Sequence, residues 1–210
     1  FECPDGEIER VYYFRWWTFR KHIKQTPEGY VITEFLPKVP WSGLYNAISC
    51  PGAHHFAEGR WLADGKYLSE YARYWFNCGK NVRKYTFPVA HSVLEFYKVS
   101  GDKRLLAELF GKMRENAAEW EKSHYDAERG LFWQRDSRDG MEYSISGSLH
   151  PKFLGYRATI NAHMYGEYCA LSEIAEILGD GESAKLYAEK AAVLKDKINT
   201  LLWDESARFF

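Results

Sequence analysis

The sequence predicts an all-α fold, an incomplete toroid of antiparallel helical hairpins with an inner and an outer helix in each. The first supporting observation is a repeated turn: Ala63-Asp64-Gly65-Lys66-Tyr67-Leu68, Ser100-Gly101-Asp102-Lys103-Arg104-Leu105 and Gly179-Asp180-Gly181-Glu182-Ser183-Ala184. In such turns Gly supplies the positive-φ stop of one helix and Asp caps the next. The second is the spacing: the turns begin at residues 63, 100 and 179, one period and then about two, as in a hairpin repeat with one long insertion. The third is the contrast between the helices flanking each turn, which sets an inner ring against an outer one.

Taken in order, a helix over residues 7–23 and a short strand over 30–36 open the chain. The leading helices of the hairpins, 54–63, 88–99 and 159–178, carry small, aromatic and polar residues on several faces, as helices enclosed on all sides do. Their partners, 66–77, 105–124 and 183–203, show apolar positions at i, i+3, i+4 and i+7 with Lys and Glu opposite. Leu186, Ala191, Leu194, Ile198 and Leu201 illustrate the last of these. The loops entering the inner helices, 37–53, 78–87 and 136–158, are long, whereas the turns at the other end have only a few residues. Long ordered loops are commonly functional, and these emerge on one rim, which is therefore where a site is expected, with short β excursions among them.

Composition narrows the setting. A formal net charge of -1 provides no global field for nucleic acid or an acidic membrane surface. No run of about eighteen apolar residues is present, so no membrane partner is expected. Aromatic residues reach 17%, including 8 Trp and 15 Tyr, which suits either a large aromatic core or the stacking of sugar rings. The cysteines Cys3, Cys50, Cys78 and Cys169 form no C-x-x-C pair, are expected to be free and partly buried, and leave the compartment open. The start at Phe1-Glu2-Cys3-Pro4 and the end at Arg208-Phe209-Phe210 suggest a partial domain, residues 1–210 of a longer one. His54 with Glu58, and His163 with Glu167, have i, i+4 spacing, but neither has an evident third ligand, so neither metal nor cofactor is expected.

The densest chemistry lies in Arg135-Asp136-Ser137-Arg138-Asp139-Gly140-Met141-Glu142-Tyr143-Ser144, after the aromatic strand Leu131, Phe132, Trp133. Carboxylates crowded beside arginines and aromatics acquire separable pKa values, so that one serves as an acid while another stays ionised. A solvated loop with local salt bridges has the same composition.

The alternation of inner and outer helices resembles the six-hairpin, or (α/α)6, glycosidases. Gly140, Met141 and Ser144 are similar to the general-acid motif of trehalases, glycoside hydrolase family 63 and mannosylglycerate hydrolases. Glu142 stands where those families carry Asp, and Arg138-Asp139 replaces their Glu-Ser pair. Trp16-Trp17-Thr18-Phe19-Arg20, Ser49-Cys50-Pro51-Gly52-Ala53-His54-His55 and Glu58-Gly59-Arg60-Trp61 more closely resemble the family 142 branch, associated with β-L-arabinofuranosidase activity. The resemblance implies an inverting glycosidase acting on an oligosaccharide or polysaccharide, with Glu142 as general acid. It also implies a base supplied by the remainder of the barrel, so the chain would be its first half to two-thirds and inactive alone.

On this reading Arg138, Asp139 and Tyr143 flank the acid, the first two as hydrogen-bonding partners of sugar hydroxyls or as a structural salt bridge. Trp41 is a stacking candidate. His54 and His55 open an inner helix, where only one of them can face the pocket, and Arg157 and Asn161 start another and point to the same rim. Glu58 and Arg60 suggest a buried ion pair. Two other classes share the toroid. A sugar epimerase or polysaccharide lyase would use His54, His91 or His163 at the centre, and a non-catalytic carbohydrate-binding scaffold would leave Glu142 exposed.

Overall fold

The computed structural model describes residues 1–79, 81–140 and 154–210. Their architecture is all-α, with seven α-helices: α1 Gly6–His22, α2 Gly52–Gly59, α3 Lys66–Asn77, α4 Val89–Ser100, α5 Lys103–His124, α6 Ala158–Leu178 and α7 Gly181–Leu201. Strands occur only as short antiparallel pairs: β1 Ile23–Thr26 with β2 Gly29–Ile32, β3 Tyr125–Asp126 with β4 Leu131–Phe132, and β5 Gln134–Arg135 with β6 Leu154–Gly155.

The hairpin turns form as their residues dictate. Gly101 and Gly179 end α4 and α6 at φ 68° and 84°, in the left-handed region that costs glycine little. Asp102 and Asp180 then accept hydrogen bonds from the Arg104 and Ser183 amides at 3.1 and 3.0 Å, satisfying donors that the first turn of a helix leaves open. In the first turn the order is reversed, and Asp64 accepts from the Lys66 amide across Gly65.

Helices α2, α4 and α6 pack side by side, with α4 touching both others, while α3 and α5 pack together behind them. This is the inner and outer arrangement expected of an incomplete toroid of hairpins. The core between the layers is aromatic, with Phe56, Tyr71, Tyr74, Trp120 and Phe132 buried. Phe56 and Tyr71 stack with centroids 5.4 Å apart, and Tyr71 meets Trp75 edge to face at 5.6 Å.

Three local readings are corrected. The strand expected over 30–36 is confined to Gly29–Ile32 and pairs with an unforeseen strand, β1. Helix α2 ends at Gly59, where a Cβ would lie 3.0 Å from Leu68 and 3.1 Å from Phe19. Glu58 and Arg60 do not pair with each other, because residues two apart on a helix point in different directions. Instead Arg15 binds Glu58 at 2.8 Å and Arg60 binds Glu95 at 2.7 Å. Cys3, Cys78 and Cys169 are free thiols, Cys169 exposed and the other two half-buried.

Candidate active site

The rim segment begins on β4 and β5. Leu131, Phe132 and Gln134 are buried, while Trp133 is half-buried and Arg135 exposed. Asn161, in the first turn of α6, pins this strand as a peptide would. Its carbonyl oxygen accepts from the Phe132 amide, and its amide nitrogen donates to the Phe132 and Arg157 carbonyls, each at 2.8 Å. Asn161 is fully buried and spends its donors on backbone, so it does not reach the rim surface.

Beyond β5 a 3-10 turn, Asp136–Arg138, leads into a buried charge cluster. Arg157 lies between two carboxylates, 2.7 Å from Asp136 and 3.1 Å from Asp139. The three side chains are 6%, 8% and 0% exposed, Arg157 first. Asp139 also accepts from the Thr86 hydroxyl at 2.6 Å and from the Thr159 hydroxyl. Gln134 donates to Thr86 at 3.3 Å, and the Thr86 amide donates to the Arg138 carbonyl at 2.9 Å. Desolvating charges is costly unless each is paired and hydrogen-bonded, and this cluster meets both conditions. It fastens the loop before α4, the segment after β5 and the start of α6 into one unit. Sequence reasoning did not find Thr86 or Thr159, because their partners are distant in the chain and no local pattern marks them, and it placed Asp136 in the charged segment without assigning it a partner.

Arg138 and Asp139 are adjacent but separate. The guanidinium of Arg138 stacks 5.3 Å from the Tyr85 ring centroid, while Asp139 enters the buried cluster. Gly140 follows at φ 66°, where a Cβ would stand 3.1 Å from the Cys50 sulfur, beside the N-terminus of α2. Glu142 and Tyr143 lie outside the described residues.

The inner helices present a concave face enclosing a cavity of about 450 Å³. His54 of α2, His91 of α4 and His163 of α6 all line it, and so does the Arg60–Glu95 pair. Burial lowers the His163 pKa, helped by His54 and His91 and opposed by Asp139. Its Nδ1 is buried without a hydrogen-bond partner among the described residues. Among the described residues no group of three His, Cys, Asp or Glu side chains is placed to hold a metal ion.

His55 turns the other way. Its Nδ1 sits 3.1 Å from the Tyr71 hydroxyl, and burial, with His22 and His54 adding to it, pushes its pKa down to about 3. It is a neutral packing residue at ordinary pH. Trp41 is 49% exposed on the rim, edge-on to Phe35 at 5.8 Å, and its carbonyl accepts from Lys84. Asn46, itself at φ 63°, clamps this loop through the Phe35 and Pro37 carbonyls and the Val39 amide.

Below the cavity Glu167 of α6 is fully enclosed and accepts from the Ala90 amide at 3.0 and 2.9 Å and from the His91 amide at 3.2 Å. Burial raises its pKa to about 7, against the lowering effect of those amides. It thereby anchors the first turn of α4, the turn that carries His91.

Residues 44–210 match the sequence profile described as the mannosylglycerate hydrolase MGH1-like glycoside hydrolase domain. A solved structure titled "Sialidase" superposes on the chain with a TM-score of 0.94 at 40% identity, covering 100% of this chain and 20% of that one. The chain thus spans a fifth of the length of that protein. No curated protein sequence matches it.

Proposed function

The chain belongs to the MGH1-like glycoside hydrolase domain family, and from that premise we propose that it supplies the acid side of an inverting glycosidase site for an oligosaccharide or polysaccharide. Glu142 is the proposed general acid, protonating the leaving oxygen. A carboxylate from barrel beyond residue 210 would activate water on the opposite face, roughly 6.5–9.5 Å away.

One observation carries this reading. The buried Arg157–Asp136–Asp139 cluster fixes the segment leading to Glu142 and brings Gly140 beside Cys50, next to the helix that places His54 in the cavity. Rigid support of this kind is what positioning an acid to within a fraction of an ångström demands. In the same scheme Trp41 offers an exposed indole for a sugar face. His54 and His163 offer ring nitrogens to hydroxyls, His163 in its neutral form because burial lowers its pKa. Asp139, Arg157 and Asn161 act through the backbone they hold, and His55 through packing.

The test is a reducing-sugar assay on the full-length protein. Glu142→Gln is expected to lower the rate by about 10² to 10⁴, and an unchanged rate removes Glu142 from the acid role. The convergence of His54, His91 and His163 on one cavity favours a second reading, acid–base chemistry by histidine in an epimerase or lyase. In that case His91→Ala or His163→Ala would abolish turnover while Glu142→Gln retained it. A lyase would also yield an unsaturated, ultraviolet-absorbing product.

A further inference from the structure

The rim loops border a second recess, of about 520 Å³, that shares no described residue with the cavity between the inner helices. Arg83 and Lys84 enter it from the loop before α4, Arg135 and Arg138 from the segment around β5, and among the described residues no carboxylate lines it. In a chain of net charge -1 this convergence is a local feature. Elsewhere several partly buried cations are matched: Arg60 meets Glu95 at 2.7 Å, Arg73 meets Glu108 at 2.8 Å and Lys190 meets Glu121 at 2.6 Å. In the recess none of the four cations forms an ion pair among the described residues.

Neutral groups hold three of these cations in place. Arg83 donates to the Asn116 side-chain oxygen at 3.1 Å, Lys84 to the Trp41 carbonyl, and Arg138 lies over the Tyr85 ring. Such contacts orient a cation and leave its charge available. An unneutralised cluster of planar guanidinium forks in a concavity is a receptor for oxyanions, since Arg matches a carboxylate with two parallel hydrogen bonds. Trp133 and His124 complete the wall with rings whose centroids are 4.7 Å apart. An aromatic wall beside fixed cations suits a ligand with both an apolar ring face and a negative charge.

We propose that this recess is a subsite for an acidic sugar residue, gripping its carboxylate on a stretch of glycan away from the bond that is cleaved. Arg135 and Arg138 receive the carboxylate, Arg83 and Lys84 supply the attracting field, and Trp133 stacks on the sugar ring. The assignment rests on the carbohydrate reading of the domain but does not depend on Glu142.

The experiment is calorimetric titration of the full-length protein with a glucuronate trisaccharide, its neutral glucose counterpart, inorganic sulfate, and an oligonucleotide of equal charge. The wild type is expected to bind the glucuronate trimer at least tenfold more tightly than the neutral trimer, with the preference shrinking as salt rises. Arg135→Met with Arg138→Met is expected to erase that preference while leaving the circular dichroism spectrum unchanged. Equal affinity for charged and neutral trimers overturns the proposal, as does a preference that survives the double substitution. Sulfate or oligonucleotide binding as tightly as the uronate would also overturn it, by reducing the recess to a general anion trap. Running Glu142→Gln in parallel separates the two readings. In Glu142→Gln, uronate preference retained while hydrolysis is lost supports both readings; preference retained with hydrolysis unchanged removes Glu142 and spares the subsite; and hydrolysis lost in that variant, with no uronate preference in the wild type, sinks the subsite and spares the acid.

Discussion

Removing the guanidinium of Arg157 tests whether the buried cluster is what holds the rim together. Its side chain is 6% exposed and sits 2.7 Å from Asp136 and 3.1 Å from Asp139. Arg157→Met keeps most of the apolar stem and leaves two carboxylates enclosed without their cation. Breaking a buried pair in this way costs about 3–5 kcal/mol. The hydroxyls of Thr86 and Thr159 still serve Asp139, which places the expected loss near the middle of that range, about 4 kcal/mol. At roughly 2–4 °C per kcal/mol for a domain of this size, the melting temperature should fall by roughly 8–16 °C. Asp139→Asn leaves the Arg157–Asp136 contact intact and should cost less, about 2 kcal/mol, the scale of charge-assisted hydrogen bonds. The triple variant Arg157→Met with Asp136→Asn and Asp139→Asn carries no buried charge at this position and should recover part of the loss. Urea unfolding followed by circular dichroism measures all three. A cost below about 1 kcal/mol for Arg157→Met, or a triple variant no more stable than the single one, would refute the linchpin argument.

Two further perturbations probe other parts of the same framework. Burial holds the Glu167 carboxyl at about 7 rather than its ordinary 4.5, so between those pH values the folded chain keeps a proton that the unfolded chain has released. Its contribution is therefore fully present below about 4.5 and is lost as pH rises through about 7, a span worth about 3 kcal/mol. Glu167→Gln should remove that part of the pH dependence, seen as a smaller stability difference between pH 4.5 and 7.5 in urea titrations than wild type shows; an identical difference contradicts the assignment. At Gly52, the first residue of α2, a Cβ would stand 2.7 Å from the ring of Phe87, itself only 2% exposed. Gly52→Ala should lower stability by about 1–3 kcal/mol through overpacking, and unchanged thermal denaturation would show that the ring has room to move.

The hairpins were legible in the sequence because their signals are local. Glycine followed by aspartate at 101–102 and 179–180 sets both halves of a turn within two residues, and the apolar stripe of α3 fixes its bounds at Lys66–Asn77, as expected. Where packing comes from distant residues, the sequence was less informative: at Gly59, the last residue of α2, Leu68 and Phe19 leave little room for a Cβ. Strand β1, Ile-Lys-Gln-Thr, has its two central residues exposed and lacks the alternation that would have announced it.

The site shows the same division more sharply. The charge density between Arg135 and Asp139 was visible at once, but its sorting was not, because adjacent residues in a tight turn face different surroundings. Asp139 serves the buried cluster through Thr86 and Arg157, 53 and 18 residues away, whereas Arg138 turns to Tyr85 and the open recess. Asn161 was placed on the rim by its position at a helix start, yet the edge of β4 claims its amide. What distinguishes a structural charge from one available to a ligand is whether its partners already satisfy it. By that criterion Asp136, Asp139 and Arg157 belong to the scaffold, whereas the cations of the recess have no ion-pair partner among the described residues.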